Sequence, residues 1–138
     1  MKTNAANIKR KINPEPSINL NPKKMMKTKT IQENEVFKLS SGDLFIKSIA
    51  GDAHLTTIRI SQNDNLIAYG QGEVEVIVKP KIGDIILIVA TINKPITSSP
   101  HASLTVEMND QQNSDRWKYT SYEPDYEEVI YEVTINLI

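Results

Sequence analysis

From about residue 29 onward, apolar and polar residues alternate with a period of two, and the alternation breaks at short intervals at Gly, Pro, Asn and Asp. Residues 35–39 read as a short strand with Val36 and Phe37 as its apolar pair, turned by Ser41-Gly42-Asp43. Residues 44–49 follow, with Leu44, Ile46 and Ser48 on one face and Phe45, Lys47 and Ile49 on the other. After a turn at Gly51-Asp52, residues 54–61 place Thr56, Ile58 and Ile60 together. Gln62-Asn63-Asp64-Asn65 has the polar composition of a hairpin turn. Residues 66–69 form a brief strand ending at Gly70 and Gly72, and residues 73–79 alternate with Val74, Val76 and Val78 inward. Residues 85–92 are apolar on both faces, which predicts a central strand covered twice. A proline-containing loop over 94–100 leads to residues 102–108, with Ala102, Leu104, Val106 and Met108 inward. A polar loop over 109–115, a short strand over 117–119 and an acidic turn over 123–128 come next. The most regular segment is last: over 129–137, Val129, Tyr131, Val133, Ile135 and Leu137 share one face.

This pattern predicts an all-β chain: a single β-sandwich of about eight strands, Ig-like or jelly-roll-like in connectivity, with a closed barrel as the alternative. No amphipathic helix longer than two turns is expected. The 138 residues, 39% of them hydrophobic, suffice for one domain with one core.

The net charge of −1 conceals two regions of opposite sign. Residues 1–30 hold eight basic side chains and one acid, Glu15, for a net +7, and the remainder carries −8. The first segment has Pro14, Pro16 and Pro22, five Asn and no aromatic residue. Proline fixes φ and removes a donor, so helix and inner strand are both disfavoured there. Residues 1–28 therefore read as an extended basic arm and residues 29–138 as the sandwich. Lys9, Arg10, Lys11, Lys23, Lys24 and Lys27 are the arm's candidate partner-binding residues. An acidic neighbouring subunit is the favoured partner for them. Nucleic acid competes less well, because the acidic body would repel it.

Candidate chemistry is thin. Cys is absent and there are two His, which excludes disulfide scaffolds, thiolate metal sites and cysteine nucleophiles. A Ser103–His101–Asp110 set lacks a nucleophile elbow. The carboxylate pairs Glu73/Glu75 and Glu127/Glu128 lack an evident cleft. Gly70-Gln71-Gly72 leads into a strand, so it fails the context of a phosphate loop and reads as a tight turn or bulge. The oxygen-rich loops at Asn63-Asp64-Asn65 and at Asn109, Asp110, Asn113 and Asp115 read as turn chemistry before calcium sites. No enzyme activity, metal or cofactor is expected. Five of the eight aromatic residues fall between 117 and 131. Of these, Trp117, Tyr119, Tyr122 and Tyr126 form a candidate contact surface, for protein or for a stacked sugar ring.

A basic arm before a small β-sandwich resembles accessory proteins of viral particles and contractile injection machines. That likeness implies a non-enzymatic structural subunit that docks on its neighbours as a homo- or hetero-oligomer. The alternative is a carbohydrate- or ligand-binding module built on the aromatic cluster. Asn4, Asn7, Lys9, Arg10 and Lys11 interrupt any leader-like apolar run, and no stretch approaches the roughly 20 apolar residues of a spanning helix. The expectation is synthesis in the cytoplasm without a signal peptide, no membrane partner, and incorporation into a particle or secreted machine.

Overall fold

The computed structural model describes residues 27–40, 42–51, 55–94 and 100–138. Lys9, Arg10, Lys11, Lys23, Lys24 and His54 lie outside the described residues. Among the described residues there are nine strands: β1 (Thr28–Phe37), β2 (Leu44–Gly51), β3 (Leu55–Gln62), β4 (Asn65–Gly70), β5 (Glu73–Val78), β6 (Ile85–Asn93), β7 (His101–Asn109), β8 (Ser114–Tyr122) and β9 (Glu128–Leu137). No described residue is helical, so no helix among them is long and apolar enough to cross a membrane.

The strands form two sheets, ordered β1-β9-β6-β3-β4 and β5-β2-β7-β8. All pairings are antiparallel except one: β1 runs parallel to β9, in a register that joins Thr28 to Glu128 and Phe37 to Leu137. The alternation dictates this two-layer arrangement, because a strand with one apolar face must bury that face against another layer. The inward residues of β9 (Val129, Tyr131, Val133, Ile135 and Leu137) are all 1% exposed or less. Those of β7 and β6 are fully buried against them, together with Leu44 and Ile46 of β2 and Ile58 and Ile60 of β3.

The turns show why these residues join these strands. Gln62 pairs directly with Asn65, so the loop between β3 and β4 has two residues, Asn63 and Asp64. Both adopt positive φ, 49° and 68°, the paired left-handed conformation whose twist matches a hairpin and which Asn and Asp tolerate. Asp84 buries its carboxylate beneath that loop. It accepts from Gln62 Nε2 (2.9 Å), Asn63 Nδ2 (2.9 Å) and the backbone N–H of Lys81 (3.0 Å). The hairpin is thereby fastened to the turn that precedes β6. Gly70-Gln71-Gly72 is the crossing from one sheet to the other. Gly72 has φ +76°, its N–H donates to Thr56 Oγ1 (2.9 Å), and its carbonyl accepts from Ala50 (2.9 Å). A Cβ at Gly70 would stand 3.2 Å from Val74 Cγ2, so the tight crossing favours glycine.

Three differences from the sequence expectation have physical causes. Among the described residues there are nine strands where about eight are expected, and two expected to be short are long: β1 has ten residues and β8 has nine. Both are edge strands, whose exposed side carries polar residues that mask the alternation. β6 is central but covered on one face only. Its outer residues Leu87 and Val89 are half-buried by neighbouring side chains, and Ile85 is 43% exposed. In β4, Ile67 is an extra residue opposite the Ile60–Ser61 step, a bulge that lets it pack against the core while Leu66 and Tyr69 face out.

Candidate functional site

The root of the basic arm is fixed at the acidic turn. The carbonyl of Lys27 accepts hydrogen bonds from the backbone N–H groups of Glu127 and Glu128, each at 3.1 Å. Two residues on, the ammonium of Lys29 lies 3.9 Å from Glu123 Oε1 and 5.7 Å from the centre of the Tyr126 ring. Lys94 holds the same turn from within. It is 2% exposed, and its ammonium donates to the carbonyls of Glu123 (2.5 Å) and Tyr126 (2.6 Å). Its backbone N–H donates to the carbonyl of Glu127 (2.9 Å). A buried cation is tolerated because it meets oriented carbonyl dipoles. The outcome is a turn tied at several points, with Asp125 exposed and Glu123, Glu127 and Glu128 half-buried beside the point where the arm begins. Lys94 escapes a sequence reading that ends the strand at residue 92. Continuing the parity of β6, with 86, 88, 90 and 92 inward, places residue 94 inside.

The four candidate aromatic residues do not share one face. Trp117 and Tyr119 lie on the inward side of β8, half-buried against the core. Tyr122 is on the opposite side, 63% exposed, its ring 5.3 Å from that of His101. Tyr126 lies in the acidic turn under Lys29. Trp117 and Tyr119 help close one open side of the sandwich, where β1 and β8 are edge strands among the described residues. The Tyr119 hydroxyl donates to Glu35 Oε2 across the gap (2.7 Å). Burial and the Glu35 carboxylate together push the Tyr119 phenol well above the ordinary tyrosine range. Behind it, the Tyr131 hydroxyl donates to the carbonyl of Ala102 (3.1 Å) and meets Ser121 Oγ (2.9 Å). Glu35 is a second residue absent from the sequence-based candidates.

Of the groups considered for catalysis, Asp110, Glu73 and Glu75 have partners within the chain. Asp110 accepts the backbone N–H groups of Ser40, Gln112 and Asn113, all at 2.7 Å. Burial raises its pKa, but these donors outweigh that and hold the carboxyl well below the usual range. Its oxygens thus cap the β7–β8 turn. Glu73 and Glu75 flank Lys47 at 3.5 and 3.9 Å. His101 and Ser103 lie on the outer face of β7.

The two outer faces of the sandwich differ. On the β5-β2-β7-β8 sheet, Glu75, Lys47, Glu107 and Arg116 form a cross-strand row of alternating charge, with Arg116 Nε 3.2 Å from Glu107. The other outer face carries three charged residues, Arg59, Glu128 and Glu132, among neutral and apolar side chains. It exposes Leu66 (48%) and Tyr69 (67%). A shallow depression of about 150 Å³ opens there, lined by Gln32, Glu33, Asn34, Leu87, Glu132 and Thr134.

Comparison with known proteins gives no match to a protein family, a curated protein or a solved structure.

Proposed function

We propose that this chain is a non-enzymatic structural or accessory subunit of a larger protein assembly. Its β-sandwich body, Ig-like or jelly-roll-like in connectivity, packs into the assembly, and its basic N-terminal arm docks on neighbouring subunits. The observation that carries this reading is the fixed acidic turn at the arm's root: Glu123, Asp125, Glu127 and Glu128 are held on a backbone anchored by Lys94 and Lys27. Every copy presents this acidic dock, and every copy brings an arm of opposite sign. The 26 residues before Lys27 span at most about 94 Å when fully extended, ample for an adjacent subunit. The carbohydrate-binding alternative has less support, because Trp117 and Tyr119 turn inward while Tyr122 points out.

The test is molar mass in solution by light scattering on the full chain at low and high salt. A variant with Lys9, Arg10, Lys11, Lys23 and Lys24 changed to Gln is measured beside it. Arm docking predicts self-association that weakens as salt rises and is lost in the variant. Association indifferent to both salt and variant would overturn arm docking between copies. A salt-dependent affinity for duplex DNA that the variant abolishes would instead assign the arm to nucleic acid.

A further inference from the structure

We propose that the outer face of the β1-β9-β6-β3-β4 sheet binds a second copy of this chain as a two-fold dimer. The inference deepens the assembly reading and rests on it, but it concerns a surface that shares only Glu128 with the acidic turn. It starts from the cross-strand rows fixed by the register. One row reads Gln32, Glu132, Val89, Arg59, Tyr69, and the next reads Asn34, Thr134, Leu87, Ser61, Leu66. Val89 and Leu87, on the central strand β6, are the midpoints. On either side of Val89 stand an acid and a base, Glu132 and Arg59.

Two copies of one face can meet about a two-fold axis lying in the interface plane. An axis across the strands sets Glu132 on Glu132 and Arg59 on Arg59, which is repulsive. An axis along β6 sets each Arg59 against Glu132 of the other copy, Val89 on Val89, Leu87 on Leu87, and Tyr69 over Gln32. Charge therefore selects the second arrangement. Stacked sheets sit about 10 Å apart with their strands roughly aligned, a gap that facing Arg and Glu side chains span.

Arg59 fits this role. It is exposed, and among the described residues no hydrogen bond or ion pair engages its guanidinium. Glu132 accepts one bond, from Gln32 Nε2 at 2.9 Å, which leaves its second oxygen for the partner. The area is also adequate. Five strands about 4.8 Å apart, from about 20 to about 34 Å long, cover about 700 Å², against about 800 Å² per partner in a stable complex. On the opposite outer face, Lys47, Glu73, Glu75, Glu107 and Arg116 are already engaged in ion pairs within the chain, whereas Arg59 is not.

The experiment is sedimentation equilibrium on the full chain over a dilution series, with Arg59→Glu, Glu132→Arg, the double reversal, and Tyr69→Lys. The wild type is expected to form a dimer. Each single reversal should weaken it by at least about tenfold, and the double reversal should restore it, because the pair is complementary again with its signs exchanged. Tyr69→Lys, at a position 67% exposed and so harmless to the fold, should weaken it as well. A monomeric wild type, or single reversals that leave the dimer intact, would overturn the inference. So would a double reversal that dimerises no better than the singles. The arm-neutralised chain separates the two readings. A dimer that survives in it but breaks with Arg59→Glu supports this face whatever the arm does. A dimer lost in it and kept in Arg59→Glu assigns self-association to the arm and overturns this face alone.

Discussion

Asp84 and Asp110 are carboxylates placed where backbone and amide donors converge, and each fastens a turn to a distant segment. Asp84 ties the β3–β4 hairpin to the turn before β6, and Asp110 ties the β7–β8 turn to Ser40. For Asp84, the bonds from Asn63, Lys81 and Gln62 hold the carboxyl below its ordinary 3.8; for Asp110, the backbone donors do the same against the opposing effect of burial. The sign of the pH dependence follows. Unfolded carboxyls titrate near 3.8, and the folded ones titrate lower, so in the window below about pH 4 the unfolded chain binds more protons. Their contribution is complete above that value and is lost as pH falls through the folded values. Urea titrations at a series of acidic pH values should show stability declining over this window. Asp84→Asn and Asp110→Asn should each lower stability at neutral pH and flatten the decline, and an unchanged slope would exclude these two groups as its source. Both carboxylates lie in segments legible from sequence as turns, but their partners were not. A turn's composition says that an Asp is wanted, while the identity of Ser40 or Gln62 as partner depends on contacts far along the chain.

The legibility of a strand follows its place in the sheet. In β2, β3, β7 and β9 one face is buried along most of its length, so the inward residues stand out in sequence as they do in space. In β1 the alternation of half-buried and exposed residues, Thr-Lys-Thr-Ile-Gln-Glu-Asn-Glu-Val-Phe, is written in polar side chains, and only its last two residues look like a strand. The inward Glu33 and Glu35 are tolerated because β1 is an edge and the interior beside it is polar: the Tyr119 hydroxyl caps Glu35 across the gap. Tyr119→Phe removes that donor and leaves the carboxylate half-buried without it, at a cost of about 1 kcal/mol at neutral pH. The same contact sets the alkaline behaviour. An unfolded tyrosine ionises near 10, and the folded Tyr119 ionises higher, so its contribution is full below about pH 10 and fades as pH rises toward the folded value. Thermal melts between neutral and strongly alkaline pH should show a steeper loss for the wild type than for Tyr119→Phe. Equal slopes would mean that the phenol does not couple to folding.

At the scale of the molecule, the sequence pattern foretold two layers but not which strands are neighbours, because alternation marks a face and carries no information about partners. The pairing of β1 with β9 joins positions 100 residues apart, as in the Thr28–Glu128 hydrogen bond of 2.8 Å. Nothing local in either segment specifies it. The two unlike outer faces were invisible for the same reason, since they emerge only when Arg59, Val89 and Glu132 come into one row. This long-range closure places an unusual share of the fold on the last strand. β9 lies between β1 and β6, supplies backbone partners to both, and buries five large apolar or aromatic side chains at 1% exposure or less. At about 1.5–3 kcal/mol for each buried side chain, its inward face is worth about 7–15 kcal/mol, comparable to the whole stability of about 5–15 kcal/mol of an ordinary domain. A chain ending at residue 127 therefore loses the strand that holds β1, and its remaining strands lack the burial to offset their ordering entropy. It should give a far-ultraviolet circular dichroism spectrum without a β minimum and no cooperative melt. Removal of residues 1–26 touches no described pairing and should leave both spectrum and melt in place. A cooperative melt from the chain lacking β9 would show that β2, β3, β6 and β7 form a core that folds before the ends of the chain meet.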